Sequence, residues 1–313
     1  MTPHCRPNPG FPPAAPAPVS GALTVLSYGI GQDSWSLLLS CALDPAFRQK
    51  YAPGTLLVLS SETGDEHPGT YEHLEYSRRF CAESGIEYHH ITPEMGYHPR
   101  TWPGLRQQYR RNDTVGSKRF PKSCTDNLKL TPIYNFLDEW VGRRWNMPFG
   151  RKEALKLFAQ KYGKISMLIG LAAREEKRCV KPDEIPKGWR QCAIQVLYPL
   201  IDRGMDRGAC QRHAASLGQP VPPPSNCMLC PYMNEAELLW LHRFHRADFE
   251  EWVELEARKI AKNSHKGARN SGVWGDRLLP QVLEEALAKY GHWSNEQLQE
   301  NKFSHGHSVA SRY

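Results

Sequence analysis

The stretch ALTVLSYGIGQDSWSLLLSCAL, residues 22–43, decides the architecture. Residues 22–26 form a short apolar run. Ser27, Tyr28, Gly29, Ile30, Gly31, Gln32, Asp33 and Ser34 make a turn of small and polar residues, and from Trp35 to Leu43 the pattern becomes helical. A strand that feeds a helix through a glycine turn opens a βα unit. Such a turn exposes consecutive backbone N–H groups where the helix dipole adds positive potential, so it suits a phosphate. It lacks the Gly-Lys-Ser/Thr of a Walker A loop, and its glycine spacing differs from the dinucleotide fingerprint. Glycine turns before helices are also common packing devices, so the turn alone does not establish a phosphate site.

Beyond this unit, strands are expected at 55–60, 88–91 and 165–171, with helices at about 69–84, 130–145 and 153–162. Pro132 is tolerated in the first turn of its helix. Strands alternating with helices at this spacing imply a parallel sheet covered on both faces. Further helices are expected at about 234–260 and 279–290, the latter closed by Gly291. The organisation reads as a flexible arm (1–20), a nucleotide-binding α/β domain (21–200), a helical region bearing a Cys-x-x-Cys turn (201–300) and a disordered tail (301–313). Forty per cent apolar residues supply an ordinary globular core. No apolar run is long enough to span a bilayer, and the Pro- and Ala-rich start has no signal-peptide core, so a cytoplasmic protein away from membranes is expected.

The net charge of +7 is unevenly placed. Between Arg100 and Lys129 stand eight Lys or Arg against Asp113 and Asp126, with Trp102, Tyr109 and Phe120 interleaved. Such a run suits a polyanion, a nucleotide or a nucleic-acid backbone; a solvated loop face is the plainer reading. Nine cysteines in a chain with no secretory signal point to metal or redox use in place of a disulfide scaffold. Cys227 and Cys230 at Cys-x-x-Cys spacing can clamp one ion from a tight turn. Cys41 and Cys81, on apolar helix faces, read as core packing.

Several blocks, in order, resemble the PP-loop (N-type) ATP pyrophosphatase superfamily, close to phosphoadenosine-phosphosulfate-reductase-like proteins. The 27–34 turn is similar to the PP-loop itself. The blocks ETGDEHPGTY at 62–71, KSCT at 122–125 with LKLTPI at 128–133, Ile169 and Gly170 followed by Glu175 and Arg178, YPLI at 198–201, and SNCMLCPY at 225–232 resemble the family's later blocks. The resemblance covers roughly residues 23–256. It implies a parallel sheet flanked by helices, an adenine-nucleotide α-hydrolase-like, Rossmann-like fold, with a cysteine-bearing helical C-terminal part. Three residues depart from the family pattern: Gln32 stands for a common lysine, Ala172 for an arginine and Glu62 for an aspartate.

The resemblance also implies ATP or a related adenosine nucleotide bound by Ser27, Tyr28, Gly29, Gly31, Gln32, Asp33, Ser34, Glu62, Thr63, Gly64 and Gly170. Asp33 would hold Mg²⁺ or fix the loop, while Lys129 and Arg178 would neutralise charge developing at phosphorus. In plainer roles, Asp33 could be a helix N-cap and the two cations simple surface charges. Cys124, Cys210, Cys227 and Cys230 would together bind a [4Fe-4S] cluster, or Zn²⁺, with Cys179 and Cys192 in reserve. The function so implied is adenylylation of a substrate with pyrophosphate release, in sulfur transfer to tRNA or DNA, with a sulfur-donor protein as partner. Two alternatives stand beside it. One is a phosphoadenosine phosphosulfate reductase, which needs a nucleophilic cysteine that this sequence lacks after Cys230. The other is a zinc-stapled nucleic-acid-binding protein without catalysis, which leaves the PP-loop block without a role.

Overall fold

A computed structural model describes residues 22–181, 184, 185 and 187–305; the expected N-terminal arm, Cys5 and the last eight residues lie outside them. Five strands, β1 (Leu23–Ser27), β2 (Thr55–Ser61), β3 (Glu87–Ile91), β4 (Ile165–Ile169) and β5 (Ile194–Leu197), form one parallel sheet in the order β3-β2-β1-β4-β5. The expected α/β class holds. The helices are α1 (Gln32–Leu43), α2 (Pro45–Tyr51), α3 (Pro68–Glu83), α4 (Leu105–Asn112), α5 (Thr131–Arg144), α6 (Glu153–Tyr162), α7 (Trp189–Ala193), α8 (Pro199–Asp202), α9 (Arg207–Ser216), α10 (Glu235–Phe244), α11 (Arg246–Lys262), α12 (Leu279–Tyr290) and α13 (Asn295–His305).

The central strands are apolar on both faces because both are covered. Val25, Leu57, Leu59 and Met167 pack against Phe136, Leu137 and Phe158 of α5 and α6. Their alternating neighbours Leu26, Val58 and Leu168 pack against Trp35, Leu38, Leu74 and Cys210 of α1, α3 and α9. Cys41 and Cys81 lie in that second core, as expected. A third core joins α4 and the Cys-x-x-Cys turn to α10, α11 and α12 through Leu105, Leu229, Trp240, Trp252 and Leu279. Among the described residues no helix is long and apolar enough to cross a membrane.

Several elements differ from expectation. The helix expected at 234–260 is two, α10 and α11, broken at His245, whose φ of −137° and ψ of 56° leave the helical region. α4 lies within the basic run expected as a loop, and α13 occupies residues expected to begin the tail. α9, in the region assigned to the C-terminal part, packs on α1 against the sheet.

Candidate functional site

The chain leaves β1, builds outward to β2 and β3, then returns to place β4 on the other side of β1. Neighbouring connections diverge at that point, and a crevice opens at the carboxyl ends of β1 and β4. The loop after β1 fills one side of it. Gly31 caps α1 in an extended conformation with no side-chain cap, so the first-turn N–H groups of α1 keep their need for an acceptor. Ile30 holds a left-handed backbone, φ 61°, a strained state for a β-branched residue. From the other side, Gly170 after β4 touches the start of α1: a Cβ there would stand 2.8 Å from the Ser34 nitrogen. At Gly29 a Cβ would meet nothing closer than Ser34 Oγ at 3.7 Å, so packing alone does not require glycine.

Distant segments complete the pocket. Pro132 has no N–H for the Leu128 carbonyl, and the Ser61 hydroxyl at the end of β2 donates to it instead, at 2.7 Å. Residues Asp126–Leu130 widen into a π-helical turn, in which the Thr131 N–H reaches back to the Asp126 carbonyl. That turn presents Lys129 to Glu66, Nζ 3.5 Å from Oε1. Glu66 also accepts from Thr63 Oγ1 at 3.0 Å and pairs its backbone with Cys227. Asp65 accepts from the Leu229 N–H at 2.8 Å, and its carbonyl accepts from the Met228 N–H at 2.7 Å. The segment after β2 therefore holds the Cys-x-x-Cys turn against the sheet.

One pocket is lined by Ser27, Tyr28, Gly29, Gly31, Gln32, Asp33, Ser34, Glu62, Thr63, Lys129, Gly170 and Arg178, all singled out from sequence. Gly64 is not on its wall; its φ of 73° and an approach of 2.9 Å from a built Cβ to Gly104 Cα give it a structural reason to be glycine. Gln32 lines the pocket but is tied elsewhere. Its Nε2 donates to the Pro222 and Phe303 carbonyls at 3.0 and 2.9 Å, and its Oε1 accepts from Gln211. Sequence reasoning missed Tyr71, His90, Lys122 and Arg207 on the wall. Tyr71 and Lys122 stand in the quoted blocks and His90 on the strand expected at 88–91, while Arg207 stands three residues before Cys210, in a segment where the sequence singles out only the cysteine. His67 stays off the wall. It caps α3 by accepting from the Gly69 N–H at 3.0 Å and packs against Trp240, His245 and Phe303.

The metal expectations are overturned. Among the described residues no group of three or more His, Cys, Asp or Glu could hold a metal ion. This removes the [4Fe-4S] cluster, its Zn²⁺ alternative and a Mg²⁺ cage built on Asp33. Cys210 sits on α9, fully buried behind α1, where burial pushes its thiol up to about 12; it does not reach the pocket. Cys124, Cys227 and Cys230 do line the pocket. Burial, with the Glu66 carboxylate next in importance, keeps the Cys227 thiol protonated, and burial raises Cys124 too. The reserve cysteines do not help: Cys179 packs on the sheet core and Cys192 is exposed on α7. Asp33 instead meets Arg207, Oδ2 to Nη2 at 3.2 Å. Without a cluster, the expected sulfur transfer with a thiolate-bound metal cluster is overturned.

The basic run is partly neutralised. Arg106 pairs with Asp65 at 2.7 Å, Asp248 at 2.5 Å and Glu251 at 3.2 Å. Arg110 meets Glu251 at 2.5 Å and Arg119 meets Asp276 at 2.6 Å. Sequence alone could not show the partners on α11 and beyond, which come from more than a hundred residues away. Arg178 pairs with Glu175 at 2.9 Å.

The comparisons with known proteins were negative: no family model, no curated protein and no solved structure matches this chain.

Proposed function

We propose that this protein is a PP-loop-type enzyme, of the ATP pyrophosphatase or phosphoadenosine-phosphosulfate-reductase-like kind, whose pocket takes the phosphate groups of an adenosine nucleotide. One observation carries the reading. The uncapped first turn of α1, behind a glycine loop with a strained Ile30, meets Lys129 and Arg178 in a single crevice at the switch point of a parallel sheet. Helix N–H groups and cations fixed before a ligand arrives stabilise negative charge at phosphorus without reorganisation. The motif order noted in the sequence supports the same reading.

Gly29 provides the test. Nothing in the protein crowds a Cβ there, so Gly29→Ala keeps its thermal midpoint while filling the space a phosphate needs. Titration calorimetry with ATP is expected to show about tenfold weaker binding for Gly29→Ala, ~1.4 kcal/mol, and a similar loss for Ser34→Ala. Unchanged ATP affinity in both variants removes the assignment.

A polyanionic acceptor larger than the nucleotide is supported by Arg100 and Arg111, both exposed, with Phe120 half exposed in the same run; the Lys118 ammonium is taken by the Met233 carbonyl and the Trp274 ring. Replacing both arginines with Gln should flatten the salt dependence of single-stranded nucleic-acid binding, by roughly one unit of slope for each phosphate no longer neutralised. If the slope in filter-binding assays does not move, this face is ordinary solvated surface.

A further inference from the structure

The loop between Ser27 and Ser34 contains no Lys or Arg. Gln32, the residue placed to offer one, has its amide held by Pro222, Phe303 and Gln211. A phosphate at the start of α1 therefore has to find its nearest cation on another element. We propose that Arg207, at the start of α9, is that cation, and that Asp33 and Glu175 hold it ready beside the loop. The inference rests on the reading of this pocket as a phosphate site.

The geometry supports the assignment in three ways. Arg207 lines the same pocket as Gly29, Gly31 and Ser34. Its Nη2 donates to Asp33 Oδ2 at 3.2 Å and stands at ion-pair distance, 3.8 Å, from Glu175 Oε1, an oxygen that also takes the Arg178 guanidinium at 2.9 Å. A planar guanidinium gripped in this way is oriented in advance, which favours paired recognition of phosphate oxygens. The Asp206 side chain, accepting from the Ala209 N–H at 2.9 Å, caps α9 and fixes where Arg207 leaves the helix. Finally, each holding carboxylate keeps one buried oxygen with no hydrogen-bond partner, Asp33 Oδ1 and Glu175 Oε2. A strut whose only task was to tie α9 to α1 would gain from satisfying those oxygens. A cation held between incompletely satisfied carboxylates can turn towards a stronger anion at smaller cost.

A purely structural Arg207 and a phosphate-facing one differ in which part of the ligand they affect. Titration calorimetry with ATP, inorganic pyrophosphate and adenosine separates them, with the thermal midpoint of each protein measured alongside. Arg207→Gln is expected to bind ATP and pyrophosphate at least tenfold more weakly while adenosine affinity stays at the wild-type value. Arg207→Lys should recover part of the loss. If Arg207→Gln does not fold because the two carboxylates lose their partner, Asp33→Asn is compared with Asp33→Asn/Arg207→Gln, where the imbalance is smaller. The double variant must then bind pyrophosphate tenfold more weakly than the single one. Equal affinities in that comparison, or an equal loss for adenosine, overturn the role of Arg207. A wild-type protein that binds neither ATP nor pyrophosphate instead overturns the reading of the pocket.

Discussion

Glu62 stands where the resembling family carries an aspartate, and the longer side chain reaches three partners at once. Its Oε1 accepts from the Gly64 N–H at 2.6 Å and the Tyr71 hydroxyl at 2.9 Å, and its Oε2 lies 3.4 Å from His90 Nε2. Burial alone would raise its carboxyl, but the hydrogen bonds from His90, Gly64 and Tyr71 outweigh burial and bring it down to about 2. A folded-state value below the unfolded one means that the stabilisation is complete above about pH 4.5 and is lost as pH falls towards 2. The span corresponds to at most about 3 kcal/mol. Glu62→Gln should therefore flatten the acid limb of stability between those pH values, read from urea midpoints. An acid limb as steep as that of the wild type would show that Glu62 is not held by these bonds. The three partners come from the following loop, α3 and β3, so Glu62 shapes the wall of the pocket as well as its charge.

At the scale of elements, α13 has little apolar sequence for a helix of its length, yet it is anchored firmly. Lys302 and Glu237 form a buried pair, Nζ to Oε1 at 3.3 Å, with side chains only 3% and 2% exposed. Leu298 is buried beneath it, and Gln299 accepts from the Trp240 indole at 3.0 Å. The Phe303 carbonyl then receives Gln32, so α13 braces the first residue of α1. Breaking a buried pair from one side costs about 3 kcal/mol or more, because the remaining charge is stranded. Lys302→Ala should lower the unfolding free energy by that amount, read as a lower urea midpoint at unchanged slope, and speed amide exchange first in α13, then at the start of α1. Exchange that quickens in α13 alone would show that the brace transmits nothing to the loop.

For the molecule as a whole, the sheet and the C-terminal helical core have to be held together. Arg106 on α4 joins Asp65, from the segment after β2, to Asp248 and Glu251 on α11. The Asp65 side chain is fully buried, and its second oxygen takes the Leu229 N–H beside the Cys-x-x-Cys turn. Burial already lifts Asp65 to about 7 against the pull of Arg106, so Arg106→Ala would make it take up a proton, which caps the loss at about 3–5 kcal/mol. The expected result is a lower denaturation midpoint with tryptophan fluorescence of the two cores no longer changing together, since Trp35 belongs to one and Trp240 and Trp252 to the other. A fully cooperative transition at the wild-type midpoint would mean that the apolar contacts suffice without the ion pairs.

Periodicity and turn chemistry act over a few residues, and the amino-acid order alone reaches that far. The run at 22–43 already contains β1, its glycine turn and α1, while α6 and α12 fall on the boundaries expected from their apolar spacing. β5 was not legible, since Ile-Gln-Val-Leu at 194–197 is too short to distinguish from a loop. α13 was missed because a helix held by one buried ion pair and one leucine has almost no apolar stripe. That Arg207 joins the pocket and Cys210 does not, and which charges are matched within the fold, followed only from the folded chain. Folding separated Cys210 from the other three cysteines by a helix, matched Arg106 and Arg110 to acids on α11 more than a hundred residues away, and brought Arg207 beside the loop after β1. The physical reason is range: hydrogen-bond periodicity is written in neighbouring residues, whereas burial and charge pairing depend on segments that meet only when the chain has folded.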